Sequence, residues 1–218
     1  MRFESILFDM DGTVMNSEPS WLVAETELMS EYGYSWTLED QAKCLGGPLT
    51  RMGEYMSSLV NGAKDGKFLR EALIHRVEAE FAGGIDFMPG AEELLDDIYA
   101  AKIPMALVSA SPRSLVQAAI DSLTRPYFHI SVSSNDVLHT KPHPESYLFA
   151  ASQLGVSIEN SLVLEDSITG VTSAIASGAY VIAIPHLVEI ADHPRVRKVT
   201  TLSGHTLATL SQLFSPYE

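Results

Sequence analysis

Five short apolar runs, at residues 5–9, 104–109, 129–133, 161–165 and 180–184, each end in polar or small residues, as strands buried on both faces do. Helical patterns alternate with them. Leu94, Leu95 and Ile98 keep a three-or-four spacing, as do Leu115, Val116, Ala119, Ile120 and Leu123. So do Tyr147, Leu148, Ala151 and Leu154, and then Ile168, Val171 and Ile175. Each set marks one face of a helix. Strand–helix alternation predicts an α/β fold, a mostly parallel sheet covered by helices on both faces. One interval breaks the rhythm. Residues 16–84 carry only helical patterns, with Trp21, Leu22, Leu28, Met29 and Tyr32 on one helix and Leu69, Leu73, Val77 and Phe81 on another. Gly33, Gly46-Gly47-Pro48 and Asn61-Gly62 punctuate it. The expectation is an all-helical subdomain, 16–84, inserted into a core made of 1–15 and 85–218. A weaker helical pattern surrounds Leu207, Leu210 and Leu213.

Composition narrows the function classes. The chain has 218 residues, 46% hydrophobic, enough for a sizeable core. Its 28 acidic against 14 basic residues give a net charge of −14, which repels nucleic acid and anionic membrane over most of the surface. A small anionic substrate needs only a few local cations. The single cysteine, Cys44, excludes an internal disulfide and a Cys-rich zinc site and reads as packing. The apolar run at the N-terminus is too short for a signal peptide, and no stretch reaches the roughly 20 apolar residues of a membrane span. A cytoplasmic monomer is expected. His75, His129, His139, His143, His186, His193 and His205 show no metal-ligand spacing, and the basic stretch 193–198 reads as solvated surface. No dinucleotide fingerprint or P-loop is present.

Ligand sites of open parallel sheets lie beyond the carboxyl ends of the strands, and here those ends carry acids, hydroxyls and one amine. Asp9-Met10-Asp11-Gly12-Thr13 follows the first run and Ser109-Ala110-Ser111 the second. Lys141-Pro142-His143-Pro144 lies beyond the third, and Glu165-Asp166-Ser167 closes the fourth. Carboxylates brought together from separate strands suit a hard cation, Mg²⁺ in particular, which takes a few carboxylates, waters and a substrate phosphate. Ser111, before Pro112-Arg113, and Ser167 read as helix N-caps.

The ordered quartet resembles the motifs of the haloacid dehalogenase superfamily, specifically its helical-cap phosphatases and phosphosugar mutases, over essentially the whole chain. That resemblance implies a Rossmann-like three-layer core with a helical cap. Asp9 then corresponds to the nucleophile that forms an aspartyl-phosphate, and Asp11 to the general acid and base. Gly12 allows close backbone approach, and Thr13 helps set the loop. Ser109 and the Ala110 N–H bind the phosphoryl group, and Lys141 holds it against Asp9. Asp9, the Asp11 carbonyl, Glu165 and Asp166 make up the Mg²⁺ site, with Asp166 the firmer ligand. Glu165 either ligates directly, acts through water or pairs with Lys141.

The cap selects the substrate in this reading, and Glu18 and Arg51 are its candidate contacts. Asn16 departs from the acidic residue that related proteins often carry before Ser17-Glu18-Pro19. The expected activity is Mg²⁺-dependent hydrolysis of a small phosphorylated metabolite, a sugar or polyol phosphate. The alternatives are a β-phosphoglucomutase-like transfer and, in a different class, a non-catalytic scaffold. A dehalogenase is disfavoured because Asp11 is present.

Overall fold

In the computed structural model, which describes residues 3–44, 47–185 and 189–214, the five runs form strands β1 (Ser5–Phe8), β2 (Met105–Val108), β3 (Ile130–Val132), β4 (Ser161–Glu165) and β5 (Tyr180–Ala183). Gly46 and His186 lie outside the described residues. With a sixth strand, β6 (Val196–Lys198), the sheet is parallel throughout the described residues, in the order β3-β2-β1-β4-β5-β6. β1 is central, pairing Leu7 with Ala106 on one side and with Val163 on the other. Strand order reverses at β1, the place where such sheets open a crevice at their carboxyl ends.

The sixth strand, β6 (Val196–Lys198), was not legible in the sequence. The basic residues in and just before it are exposed or part-exposed, as expected of a surface stretch, and each has a local partner. Arg195 lies 4.8 Å from the ring of Tyr180 and donates to the Gly178 carbonyl. Arg197 lies 5.1 Å from the ring of Phe214 and donates to the Leu213 carbonyl. Lys198 pairs with Asp192 at 2.7 Å. A charged edge strand of this kind resists pairing with other chains.

The chain forms two compact units: Met1–Asn16 together with Asp86–Glu218, and Ser17–Ile85. In the α/β unit, helices α5 (Ala91–Ala100), α6 (Arg113–Asp121), α7 (Glu145–Leu154), α8 (Ile168–Ser177) and α9 (Leu207–Gln212) accompany the sheet. On α7 and α8 two expected core positions differ. Leu148 is 42% and Ile168 53% exposed. On α7 the buried stripe runs through Tyr147, Ala150 and Ala151, and a residue one step along a helix is turned about 100° from its neighbour. Ile168 is the first residue after the Ser167 cap and faces outwards.

The helical unit contains α1 (Glu18–Ser30), α2 (Leu38–Cys44), α3 (Leu49–Leu59) and α4 (Gly66–Ala82). The predicted stripe Leu69, Leu73, Val77 and Phe81 is fully buried on α4, whose N-cap Asp65 accepts from the Phe68 N–H at 2.8 Å. α3 and the start of α4 touch backbone to backbone: a Cβ on Gly53 would sit 2.2 Å from the Gly66 oxygen. Thr37 and Asp40 open α2 with a reciprocal capping box.

Glu25 is the exception in this core. It points inward from α1, 1% exposed, and its carboxyl accepts from Trp36 Nε1 at 2.8 Å. Burial pushes its pKa up from 4.5 to about 7, against the opposing pull of the indole bond. The folded value exceeds the unfolded one, so the stability it lends is intact below about 4.5 and is lost as pH rises through about 7. Glu25→Gln is therefore expected to stabilise the protein at pH 8 by on the order of 2 kcal/mol. At pH 5 it should change little, and urea melts at the two pH values check the difference.

Candidate active site

Asp9 directly follows β1, and its backbone N–H continues the ladder onto the Leu164 oxygen at 3.0 Å. The chain then turns tightly, Gly12 N–H donating to the Met15 oxygen at 2.9 Å. Gly12 has φ +78, and a Cβ there would lie 2.4 Å from Asp166 Oδ2. Both the left-handed backbone and the closeness of the acid require glycine. Residues 14–16 then pair with 86–88 through Met88 N–H to Val14 oxygen and Asn16 N–H to Asp86 oxygen. That pairing fixes the turn from its far end.

Lys141 enters from the loop between β3 and α7. The loop is tied down by Glu145, which accepts from the Leu138 and His139 N–H groups, and by Ser173, which donates to the His143 carbonyl at 2.7 Å. The Lys141 ammonium is buried and donates to Asp9 Oδ1 at 2.6 Å, Glu165 Oε1 at 2.6 Å and the Val108 carbonyl at 2.8 Å. Tyr147 on α7 is fully buried and donates its hydroxyl to the same Glu165 Oε1 at 2.8 Å. Burial, with Glu165 and Asp9 nearby, holds its phenol well above the usual range, so it stays a donor. Glu165 Oε2 accepts from the N–H groups of Asp166 and Ser167 and from Ser167 Oγ. Both oxygens of Glu165 are thus committed to protein donors. Glu165 is paired with Lys141, and its carboxylate also lies beside Asp9 and Asp166.

Asp9, Glu165 and Asp166 each offer an oxygen within 4.8 Å of the others. Burial raises the Asp9 pKa well above its usual range, the Glu165 charge adds to this, and Lys141 only partly offsets it. Burial and then Glu165 likewise raise Asp166. Lys141 is also pushed up, because Asp9 and Glu165 together outweigh the cost of burying its charge. The pair moves in one direction for different reasons: the lysine has two acids to itself, while Asp9 faces Glu165, Asp166 and Asp11. One ammonium among so many acids leaves negative charge uncompensated. An all-oxygen donor set of this kind fits a hard dication.

The Asp11 carboxylate meets the two serines that follow β2. Its Oδ2 accepts from Ser111 Oγ at 3.2 Å and Ser109 Oγ at 3.4 Å. Ser111 is therefore not the helix cap expected of it; Pro112 holds the N-cap position of α6, and no side chain caps there. Ser111 is a site residue that the sequence reading missed, and its place two residues after Ser109 was the available signal. Ser167 is a cap, accepting from Gly170 N–H at 3.0 Å while it holds Glu165. Thr13 is buried, and among the described residues its Oγ1 has no hydrogen-bond partner. Ala110 is exposed between the two serines.

The structure thus brings Asp9, Asp11, Ser109, Lys141, Glu165 and Asp166 to one edge of the α/β unit. Glu18 and Arg51 belong to the helical unit, where both are exposed and Arg51 donates to the Lys43 carbonyl at 3.1 Å. No helix among the described residues is long and apolar enough to cross a membrane.

Comparison with known proteins agrees with this arrangement. Residues 6–184 match the haloacid dehalogenase-like hydrolase family. Hexitol phosphatase A of Escherichia coli (strain K12) is 30% identical over 99% of this chain and 97% of its own. The 6-phosphogluconate phosphatase of the same organism is 30% identical over 93% and 92%. Among solved structures, CbbY from Rhodobacter sphaeroides in complex with phosphate superposes with a TM-score of 0.81 at 25% identity, covering 96% of this chain and 99% of that one. With its parallel sheet, its strand-end acids and these matches, the chain belongs to the haloacid dehalogenase-like hydrolases, as an enzyme of the phosphoric monoester hydrolase class.

Proposed function

We propose that the protein is a Mg²⁺-dependent phosphatase that hydrolyses a small sugar or polyol phosphate through an aspartyl-phosphate on Asp9. The observation that carries this reading is the buried Lys141 ammonium, bonded at once to Asp9 and Glu165 beside Asp166. A buried acid with an ammonium on one oxygen is oriented to attack with the other. The sugar and polyol class is supported by relatives named hexitol phosphatase A, 6-phosphogluconate phosphatase and fructose-1-phosphate phosphatase.

In the first step Asp9 attacks phosphorus, the bond from phosphorus to the substrate oxygen breaks, and Asp11 gives that oxygen its proton. In the second, Asp11 takes a proton from water, whose oxygen attacks phosphorus. The bond to Asp9 then breaks and inorganic phosphate leaves. Ser109 and the Ala110 N–H bind phosphoryl oxygens, Lys141 neutralises their charge, and Gly12 lets the backbone come close. Thr13 sets the loop. Asp9, Asp166 and the Asp11 carbonyl would hold Mg²⁺, with Glu165 serving Lys141. The bound cation supplies the positive charge that keeps Asp9 and Asp166 ionised and offsets charge on the phosphoryl group. The unit from 17 to 85 acts as the cap, with Glu18 and Arg51 as its substrate contacts.

The test is phosphate release from sugar, polyol and nucleotide monophosphates, with Mg²⁺ or with EDTA. Turnover restricted to the Mg²⁺ arm and strongest on sugar or polyol phosphates is expected. Sugar phosphates isomerised without phosphate release would replace the reading by a mutase, and silence in both assays from folded protein would replace it by a scaffold.

A further inference from the structure

The ammonium of Lys141 has three acceptors, Asp9 Oδ1, Glu165 Oε1 and the Val108 carbonyl. It also lies 4.9 Å from the centroid of the Tyr147 ring. Tyr147 therefore meets the site twice: its ring faces the cation, and its hydroxyl occupies the Glu165 oxygen that the cation also uses. A buried phenol must find an acceptor to avoid a desolvation cost. Here it takes half of the acceptor capacity of Glu165 Oε1, an oxygen that would otherwise have the ammonium to itself. In a buried site charge pairs attract strongly, and a less engaged Glu165 would draw the ammonium away from Asp9.

We propose that Tyr147 is a positioning residue for Lys141: by holding Glu165 and backing the ammonium, it keeps that ammonium on Asp9 Oδ1. This rests on the roles given above to Asp9 and Lys141. Tyr147 follows Lys141 by six residues on the helix into which the lysine loop runs, so one short segment supplies both the cation and the group that aims it. Phenylalanine would keep the ring and lose the hydroxyl.

The experiment uses the full chain with ¹⁵N-labelled lysine and compares the parent with Tyr147→Phe. Tyr127→Phe is the control, another buried tyrosine, whose hydroxyl donates to Asp96 at 2.9 Å rather than to Glu165. Hydrogen exchange of the Lys141 ammonium is followed by NMR in EDTA, the signal assigned by its loss in Lys141→Arg. Turnover is measured on p-nitrophenyl phosphate with Mg²⁺. Tyr147→Phe is expected to speed ammonium exchange about tenfold and lower kcat about tenfold, with KM within about twofold. Tyr127→Phe should move neither. Parental exchange in Tyr147→Phe overturns the proposal whatever happens to kcat, as does an unprotected ammonium in the parent or faster exchange with parental kcat. Faster exchange in a chain that is inactive on every monoester even as the parent would remove the phosphatase reading and leave the positioning role standing.

Discussion

Asp9→Asn is expected to lose more than about 10³-fold in phosphate release, roughly 4 kcal/mol of transition-state stabilisation, and yet to be no less stable than the parent in EDTA. The two halves have separate causes. An amide cannot form the acyl phosphate, so chemistry stops at the first step. In the metal-free protein, however, the Asp9 carboxylate is a liability. Burial and the charge of Glu165 disfavour its ionised form more than Lys141 favours it. Its folded-state pKa lies above that of the unfolded chain, so the native state holds a proton that the unfolded chain gives up. Its contribution is present at low pH and is lost as pH rises out of the usual carboxylate range. A neutral, nearly isosteric side chain escapes that loss. Thermal melts in EDTA at pH 5 and pH 8, beside the activity assay, separate the two halves. A variant melting well below the parent at pH 8 would show that the Asp9 charge anchors Lys141 more than it crowds the acids.

Gly170→Ala should be nearly as damaging, though Gly170 carries no chemistry. A Cβ on Gly170 would stand 1.7 Å from Glu165 Oε1 and 2.1 Å from Oε2. The carboxylate cannot yield cheaply, because Lys141, Tyr147, the Asp166 and Ser167 amides and Ser167 Oγ all donate to it. Either α8 moves off β4 or the acid leaves its donors, at a cost of about 3 kcal/mol. Turnover should fall with stability, because Lys141 loses the acid that steadies it. The measurement is the urea midpoint, expected to drop with an unchanged m value. Thr172→Ala, exposed on the same helix, should stay within about 0.5 kcal/mol of the parent. Equal midpoints for the two variants would mean that α8 has room to shift and that Gly170 is not the cradle of Glu165.

Much of this architecture was written along the chain. Strand periodicity, the alternation with helices and the strand-end acids depend on residues close in sequence, and a parallel sheet brings the ends of its strands together whatever fills its core. The strand-end reading pointed to Asp9, Asp11, Ser109, Lys141, Glu165 and Asp166, and the resemblance of the ordered quartet to haloacid dehalogenase motifs supplied the roles expected of them. The stripe Leu69, Leu73, Val77 and Phe81 was equally plain, since it spans one helix with a regular spacing.

What only the tertiary structure decided are the properties that depend on partners distant in sequence. Glu165 became the partner of Lys141, 24 residues away, because donors from the loop before α7, from α7 itself and from the turn after β4 converge on its two oxygens. Tyr147 looked like one more apolar position on a helix face, and its hydroxyl acquired a role only where that face met β4. Ser111 passed for a cap because its acceptor, Asp11, lies 100 residues earlier in the chain. Strand β6 was hidden by the charges in and beside it, whose aromatic and carbonyl partners come from β5, the turn before it and the chain after α9. Periodicity records which face of an element is buried. It is silent on which polar group waits on the other side, because that depends on three-dimensional distance and on the lone pairs left to satisfy.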